Sequence, residues 1–272
     1  MVETVVTPRG PYLLRRMAGE EGWRAALPGG DAAAASQRTD GRVRIRATGE
    51  AALERARFML ALDDDHSEFC RRFGRDPLLG PSIRGLHGLR PLRLATVAHA
   101  LLRAFCGQLV DSRTARATER AILRLAGTPA PTAADLAPFS PAQLRSRGLA
   151  TPRASSLVRL CRTLDPERLR AHPTPVVLER LGRERRLGPW SCGVVVLQGL
   201  GRYDRGLVGD LSLIKLASAL RGRWVEADET AALLAPYEEW QGLASVYLIA
   251  GFADGLVPGA SADAARIARR AA

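Results

Sequence analysis

The chain has 272 residues, of which 46% are hydrophobic, so it can build one large domain or two ordinary ones. This composition excludes disordered and fibrous proteins, and charged residues interrupt every apolar run before it reaches the roughly 20 residues of a membrane span. Forty basic against 28 acidic residues give a net charge of +12, which favours a polyanion such as nucleic acid or a membrane surface. Lys215 is the only lysine, so the other basic residues are arginine.

The cysteines and the N-terminus suggest a reducing compartment. The four cysteines lie more than 30 residues apart, which excludes zinc ribbons and cysteine-ligated iron–sulfur clusters. The first residues contain no apolar core of the kind that a secretory signal needs. We therefore expect reduced thiols and a cytoplasmic protein.

The pattern of the first sixty residues differs from that of the rest. Alternating apolar and polar residues predict strands at 2–6 and 43–48, and the glycine- and alanine-rich stretch 28–41 has the composition of a loop. From Glu50 onward the apolar residues recur at three- and four-residue steps, which is typical of helices. This spacing predicts helices over 94–106, 112–125, 141–146, 154–163, 175–181, 191–200, 211–220 and 236–250.

These elements predict a mainly α protein, α+β overall. We expect a short α/β domain over residues 1–62 and a bundle of short helices over residues 63–272. The sequence shows no internal repeat of fixed period.

One link between two predicted helices is suited to a phosphate. The stretch RRLGPWSC, from Arg185, joins a helix ending near Leu181 to one starting at Ser191. Its glycine permits close approach of another backbone, and the first amides of the next helix point outward with partial positive charge. The alternative is an ordinary helix–helix turn with solvated arginines.

Asp210 precedes a predicted helix and follows a glycine. A carboxylate there is a preferred N-cap, which is sufficient explanation for the residue. The same geometry would aim it outward as a general base or as a partner for a developing cation.

Five stretches, in this order and spacing, resemble the helix-hairpin-helix superfamily of DNA glycosylases, nearest to the bacterial 3-methyladenine DNA glycosylase II branch. The stretches are AFCGQLVDSRTARATERAILRLAG from Ala104, RSRGLATPRASSLVRLCRTL from Arg145, RRLGPWSC from Arg185, DRGLVGDLSLIK from Asp204 and YEEWQGLASVYLIAG from Tyr237. The resemblance covers roughly residues 70–252 and implies an enzyme that flips a damaged base out of duplex DNA and hydrolyses its N-glycosidic bond.

The resemblance gives Asp210 the role of the catalytic carboxylate. Bifunctional relatives, which also cut the strand, carry a lysine immediately before the position of Ser191, where this chain has Trp190. The resemblance therefore implies a monofunctional glycosylase for alkylated purines such as 3-methyladenine, without a cofactor.

Other positions carry over from the same motifs. Leu109 matches a side chain that fills the gap left by the flipped base, with a core leucine as the alternative, and Gln108 lies beside it. Gly188 and Ser191 match the phosphate-binding hairpin, whose family form also holds a monovalent cation through main-chain carbonyls; no side-chain metal site is expected. Pocket and DNA-contact residues complete the set: Trp190, Val194, Leu211 and Ile249 in the pocket, and Arg186 and Lys215 on DNA.

Two departures from the family pattern keep alternatives open. Arg186 replaces the first glycine of the hairpin, and three usually aromatic pocket positions are aliphatic. A non-catalytic DNA-binding or damage-sensing protein of the same fold, or a glycosylase for deaminated or oxidised bases, would also fit. In each case we expect a monomer that binds damaged double-stranded DNA, without a membrane partner, near the nucleoid. Near residue 63, three aspartates and a histidine have the composition of a metal site, but a solvated helix cap is the expected reading.

Overall fold

The computed structural model describes residues 1–108 and 111–270. In these ranges the chain starts with an antiparallel sheet of order β1-β4-β3-β2 and continues as helices. The strands are β1 (Val2–Val6), β2 (Trp23–Ala26), β3 (Ala32–Gln37) and β4 (Val43–Ala47). The helices are α1 (Arg15–Ala18), α2 (Glu50–Met59), α3 (Ser67–Phe73), α4 (Gly80–Gly85), α5 (Val97–Gly107), α6 (Ser112–Ala126), α7 (Ala133–Leu136), α8 (Pro141–Arg145), α9 (Thr151–Thr163), α10 (Thr174–Gly182), α11 (Pro189–Val194), α12 (Leu211–Arg221), α13 (Glu229–Leu234), α14 (Gln241–Ala253) and α15 (Ala262–Arg270). Short 3-10 segments lie at Pro28–Gly30, Pro166–Ala171 and Ala235–Trp240, and a π-helical segment lies at Val195–Leu200.

The predicted loop at 28–41 is wrong, because its alanine run forms β3. This strand pairs with β4 and with β2, with Ala35 opposite both Ile45 and Trp23. Alanine has little preference for strands, but pairing on both sides satisfies the backbone and the small side chains leave room for larger neighbours. The local composition could not reveal this, because the partners are distant in sequence.

The sheet and α2 enclose the first apolar core. Val43, Ile45 and Ala47 alternate with more exposed residues along β4, so one face of the sheet is buried. Ala52 and Ala56 of α2 are buried in the same cluster. The predicted boundary between residues 62 and 63 remains a prediction, since Ala95 and Ala130 from the helical region also belong to this core.

The second core is built around α5. Its sequence is apolar on nearly every side, and the Thr96 hydroxyl oxygen accepts a hydrogen bond from His99 N at 3.0 Å, which starts the helix. Leu101, Leu102 and Phe105 are fully buried, and burial of one such side chain stabilises the fold by about 1.5–3 kcal/mol. The helix packs against α6, α9, α11 and the π-helical segment, so it forms the centre of the helical region.

Two predicted helices are interrupted. The stretch predicted over 191–200 is α-helical to Val194 and π-helical from Val195 to Leu200. The stretch predicted over 236–250 begins as a 3-10 segment with Glu238 at φ 46°, so α14 begins only at Gln241. Apolar spacing could not reveal either change, because both alter the hydrogen-bond pattern and keep the same residues buried.

The fold class predicted from the sequence is confirmed: helices dominate, and a small sheet lies at the N-terminus. Among the described residues no helix is long and apolar enough to cross a membrane. All four cysteines are free thiols.

Candidate active site

A large open cleft of about 1970 Å³ lies between the helices of the second core. Its lining comes from α5, α6, the link between α10 and α11, the segment before α12, α12 itself and the region around α13. Asp210, Trp190 and Leu211 line it together with Gln108, Arg186, Gly188, Ser191 and Lys215. The fold thus brings together eight of the residues that the sequence singled out from three separate motifs.

Asp210 is fixed by two hydrogen bonds at the start of α12. Its Oδ1 accepts from Ser212 N at 2.8 Å, and its Oδ2 accepts from Trp190 Nε1 at 2.9 Å. The first bond is the N-cap that the sequence predicts, so the structural and functional explanations of this residue both apply. The second links the carboxylate to the hairpin, twenty residues earlier in the chain.

The Trp190 ring is held between Asp210 and the end of α5. A methyl group on Gly107 would lie 2.4 Å from Cη2 of the ring, closer than any real contact, so only glycine fits there. The sequence analysis assigned no role to Gly107, although the residue lies in the first motif, immediately before Gln108. Trp190 packs against the second core and also lines the cleft, so the same ring anchors the hairpin and occupies the expected position at the pocket wall.

The link between α10 and α11 is the predicted hairpin. Gly188 is exposed with φ −77°, a backbone that any residue adopts, and a methyl group there would meet nothing within 4 Å. The first hydrogen bond inside α11 runs from Cys192 N to Gly188 O at 3.0 Å, so the preceding amides of Trp190 and Ser191 lie ahead of the helical ladder. The glycine therefore keeps the outer surface of the hairpin open rather than enabling its turn.

Arg186 does not distort the turn. The described non-glycine residues with positive φ are Ala61 and Glu238, so Arg186 needs no left-handed backbone. Leu187 N donates to Glu184 O at 3.0 Å and closes the turn. The replacement of the usual glycine is tolerated, and the exposed Arg186 side chain faces the cleft.

Gln108 fastens the end of α5 to the hairpin. Its Nε2 donates to Arg186 O at 2.5 Å and to Ser191 Oγ at 2.8 Å. Both amide hydrogens are used within the protein, so the side chain orients the hairpin. Leu109, the predicted wedge, lies outside the described residues.

The remaining predicted residues divide into those inside and those outside the cleft. Lys215 and the 47% exposed Leu211 line it from α12. Val194 is buried in the core, and Ile249 packs against that core from α14, so neither belongs to the described lining.

Two arginines next to the motifs make their contacts within the protein. Arg202 donates to His172 O at 2.6 Å and to Arg170 O at 2.8 Å, and so links two segments of the chain. Arg183 pairs with Glu179 at 2.6 Å, one helical turn away. The unpaired charge of the hairpin therefore comes from Arg185 and Arg186, since neither has an ion pair among the described residues.

The wall formed by α5 and α6 contains a buried ionic cluster that the sequence analysis did not predict. Glu119 Oε1 accepts from His99 Nε2 at 2.8 Å and from Arg103 Nη2 at 2.9 Å, and Arg103 Nη1 donates to Gln198 Oε1 at 3.2 Å. Burial by itself would raise the pKa of Glu119, but the hydrogen bond from His99 and the charge of Arg103 outweigh it and lower the pKa to about 2. The sequence feature that could have predicted this cluster is the presence of His99 and Arg103, four residues apart, on the otherwise apolar helix α5.

Asp64, expected in a solvated cap, is instead part of a second buried cluster away from the cleft. Its carboxylate accepts from Arg93 and from the Tyr203 hydroxyl, while Asp65 Oδ1 accepts from Ser67 N at 2.8 Å as a local cap. His66 is 1% exposed and packs edge-on against the Tyr203 ring. Within the ranges that the structure covers, no group of three His, Cys, Asp or Glu side chains could hold a metal ion.

Three hairpin carbonyls accept hydrogen bonds within the chain. These are the carbonyls of Glu184, Arg186 and Gly188, bonded by Leu187 N, Gln108 Nε2 and Cys192 N. Each carbonyl oxygen keeps a second lone pair, so these bonds are compatible with a cation ligand. The monovalent cation at the hairpin main chain stays a prediction.

The chain matches solved DNA glycosylases in fold over most of its length. The 3-methyladenine DNA glycosylase of Archaeoglobus fulgidus superposes with a TM-score of 0.80 over 92% of this chain and 98% of its own, at 16% identity. The 8-oxoguanine glycosylase/lyase of Clostridium acetobutylicum, bound to double-stranded DNA, gives 0.73 over 90% and 93%, at 18% identity. The chain has the helix-hairpin-helix DNA glycosylase fold.

Sequence comparison agrees with this glycosylase fold. The DNA-3-methyladenine glycosylase of Bacillus subtilis is 24% identical over 204 residues, which cover 69% of this chain and 67% of that protein. No protein-family model matches the chain. The resemblance predicted from the five motifs is thereby confirmed.

Proposed function

We propose that this protein is a monofunctional DNA glycosylase that hydrolyses the N-glycosidic bond of an alkylated purine in duplex DNA, with Asp210 as the catalytic carboxylate. The observation that carries the proposal is the position of Asp210, which the Trp190 indole and the start of α12 fix in a wide basic cleft. Relatives of the same fold that bear the name 3-methyladenine DNA glycosylase support the substrate class.

The proposed chemistry needs one carboxylate. Extrusion of the nucleotide costs a few kcal/mol, and less at a lesion. An alkylated purine is cationic and leaves readily, so the remaining task is to stabilise the positive charge that develops on the sugar and to orient the attacking water. Both oxygens of Asp210 have a hydrogen-bond donor, which holds the charge in place before the reaction and reduces the reorganisation that the reaction requires.

The absence of a strand-cutting step follows from the identity of residue 190. An amine at that position would attack the sugar and form a Schiff base, whereas the Trp190 Nε1–H donates to Asp210. The sole lysine, Lys215, lines the cleft from α12. A borohydride-trapped covalent adduct on a damaged duplex would contradict the monofunctional assignment, and its loss in Lys215→Ala would identify the amine.

Duplex binding is assigned to the hairpin and the basic residues beside it. The open surface at Gly188 admits a phosphate, and Arg185, Arg186 and Lys215 supply charge without a partner in the described chain. Such contacts position a duplex without reading its sequence.

Base release from a panel of single-lesion duplexes tests the proposal. We expect release of N3- or N7-alkylated purines by the wild type, and a rate at least roughly 100-fold lower for Asp210→Asn, because the developing charge loses its counter-charge. Asp254→Asn, an exposed change at the end of α14, is the matched control and should keep full activity. If no lesion is released, the protein is a non-catalytic DNA-binding module of the same fold.

A second candidate substrate class is supported by the polarity of the cleft. Trp190 is the only Phe, Tyr or Trp among the described lining residues, so stacking on a cationic base is limited. Arg205 lines the same cleft, and its Nε is buried without an acceptor among the described residues. A base with a carbonyl oxygen, such as a deaminated or oxidised purine, would supply the missing acceptor.

The same panel distinguishes the two substrate classes through Arg205. If carbonyl-bearing bases are the substrates, Arg205→Gln should lower their release about 10-fold or more and leave alkylated adenine unaffected. If alkylated purines are the substrates, the variant should release alkylated adenine, which has no carbonyl oxygen, at an unchanged or higher rate, because a repelling positive charge is removed.

A further inference from the structure

The cleft-facing side of α6 carries a stripe that the proposed chemistry does not use. The residues of α6 that line the cleft recur at three- and four-residue steps: Ser112, Ala115, Arg116, Glu119, Arg120 and Leu123. From its first to its last residue the stripe extends about 16 Å along the helix. It starts four residues after Gln108, whose side chain contacts the hairpin, so the stripe leads away from the hairpin along the cleft wall.

The two arginines of this stripe have no counter-charge. Arg116 and Arg120 are exposed and form no ion pair with any residue in the described ranges. The nearby carboxylates are engaged elsewhere: Glu119 is bound by His99 and Arg103, and Asp111 accepts from Arg113 N and Thr114 N at 3.0 Å as the N-cap of α6. The positive charge of the stripe is therefore available to a ligand.

The arrangement is unfavourable for the isolated helix. Arg116, Arg120 and Arg124 follow each other at four-residue spacing, and like charges so placed destabilise a helix by a few tenths of a kcal/mol per pair. Arg116 and Arg120 are about 6 Å apart along the axis, so each can reach a phosphate of its own. A polyanion lying in the cleft would reverse the sign of this electrostatic contribution.

We propose that Arg116 and Arg120 form a phosphate-binding ridge on α6, separate from the hairpin, that holds the sugar–phosphate backbone of duplex DNA. The inference rests on the proposed function, since it takes DNA as the ligand of the cleft. The ridge contributes affinity and register, while base release stays with Asp210. It also gives a role to two arginines of the first motif to which the sequence analysis assigned none.

The salt dependence of binding to an undamaged duplex tests the ridge. The variant Arg116→Gln/Arg120→Gln is compared with Arg113→Gln/Arg124→Gln, which removes the same charge from the same helix outside the cleft lining. Each phosphate contact adds about 0.9 to the slope of log affinity against log salt, so the ridge variant should lose about 1.8 from that slope. Its affinity deficit relative to wild type should shrink about 12-fold between 50 and 200 mM salt.

The control variant Arg113→Gln/Arg124→Gln should keep the wild-type slope. The ridge variant should melt at the wild-type temperature or slightly above it, because the substitutions remove like charges from one face of α6. Equal slopes for the two double variants, or a loss seen only with single-stranded DNA, would overturn the ridge. If the wild type itself does not bind duplex DNA, the proposed function fails as well, and the two failures remain distinct.

Discussion

Trp190 shows how one residue links two requirements of the site. Its Nε1–H holds the Asp210 carboxylate at 2.9 Å, and its ring occupies the space left by the missing side chain of Gly107. Gly107 and Trp190, which lie 83 positions apart in two different motifs, are therefore in contact. A substitution at Gly107 or at Trp190 should therefore disturb the Asp210 carboxylate, because the indole ring contacts both Gly107 and Asp210.

Gly107→Ala should lower activity through Trp190. The added methyl would lie 2.4 Å from Cη2, so the ring must move and the bond to Asp210 lengthens or breaks. We expect a 10- to 100-fold slower single-turnover release, since displacements of about 1 Å have effects of this size, and a loss of about 1–3 kcal/mol in stability from overpacking. Gly182→Ala, where the methyl meets nothing within 4 Å, is the control. Wild-type activity in Gly107→Ala would refute the coupling.

Gly188→Ala should weaken the binding of duplex DNA without lowering the stability of the protein. The methyl meets nothing in the free protein and the backbone is ordinary, so the melting temperature should not fall. On DNA the same methyl would occupy the surface assigned to a phosphate, and we expect duplex affinity to drop about 10-fold by fluorescence anisotropy. An unchanged duplex affinity would show that the phosphate does not bind at the hairpin surface.

At the scale of elements, α5 and α6 are joined by charge as well as by apolar contact. Glu119 of α6 lies between His99 and Arg103 of α5, and Arg103 continues to Gln198 in the π-helical segment. Removal of one member of such a buried group leaves another uncompensated, which is costly. The cluster therefore fixes the angle between the two helices that form one wall of the cleft.

Glu119→Gln should change the dependence of stability on pH. The pKa of Glu119 falls from an ordinary 4.5 to about 2 in the folded state, so its contribution is complete above pH 4.5 and is lost as the pH falls towards 2. We expect the variant to be about 3 kcal/mol less stable at neutral pH and to converge with wild type in acid. Urea unfolding at several pH values measures this. The exposed Arg183–Glu179 ion pair provides the control, because Glu179→Gln should lower the free energy of unfolding by less than about 1 kcal/mol. A deficit that is constant with pH would contradict the assignment.

At the scale of the whole molecule, the segment after α2 is connected to the segment that leads to Asp210. Asp64 follows α2, and its partners Arg93 and Tyr203 come from the helical region. Arg93 Nη2 also donates to Gly201 O at 2.8 Å, and Tyr203 O accepts from Gly242 N at 2.7 Å. This cluster fixes the start of the stretch that leads to Asp210, the proposed catalytic carboxylate.

Asp64→Asn should destabilise the protein by about 3–5 kcal/mol in urea unfolding, because it leaves the nearly buried Arg93 without its counter-charge. The neighbouring Asp63, 55% exposed and paired with Arg57, provides the control. Asp63→Asn should cost less than about 1 kcal/mol. Equal losses of stability in the two variants would show that the buried cluster does not hold the segment after α2 against Arg93 and Tyr203.

The sequence by itself determined the helical region, the hairpin, the N-cap at Asp210 and the fold, because these depend on local spacing and on short motifs. The tertiary structure decided what depends on distant partners. An alanine run forms β3 because two strands flank it, and Asp64 is largely buried because it pairs with Arg93 and Tyr203. Arg202 donates to two distant carbonyls, which its local sequence does not indicate. The composition alone determines the net charge of +12. The tertiary structure decides which arginines have a carboxylate partner and which remain unpaired in the cleft, because the partners come from distant parts of the chain.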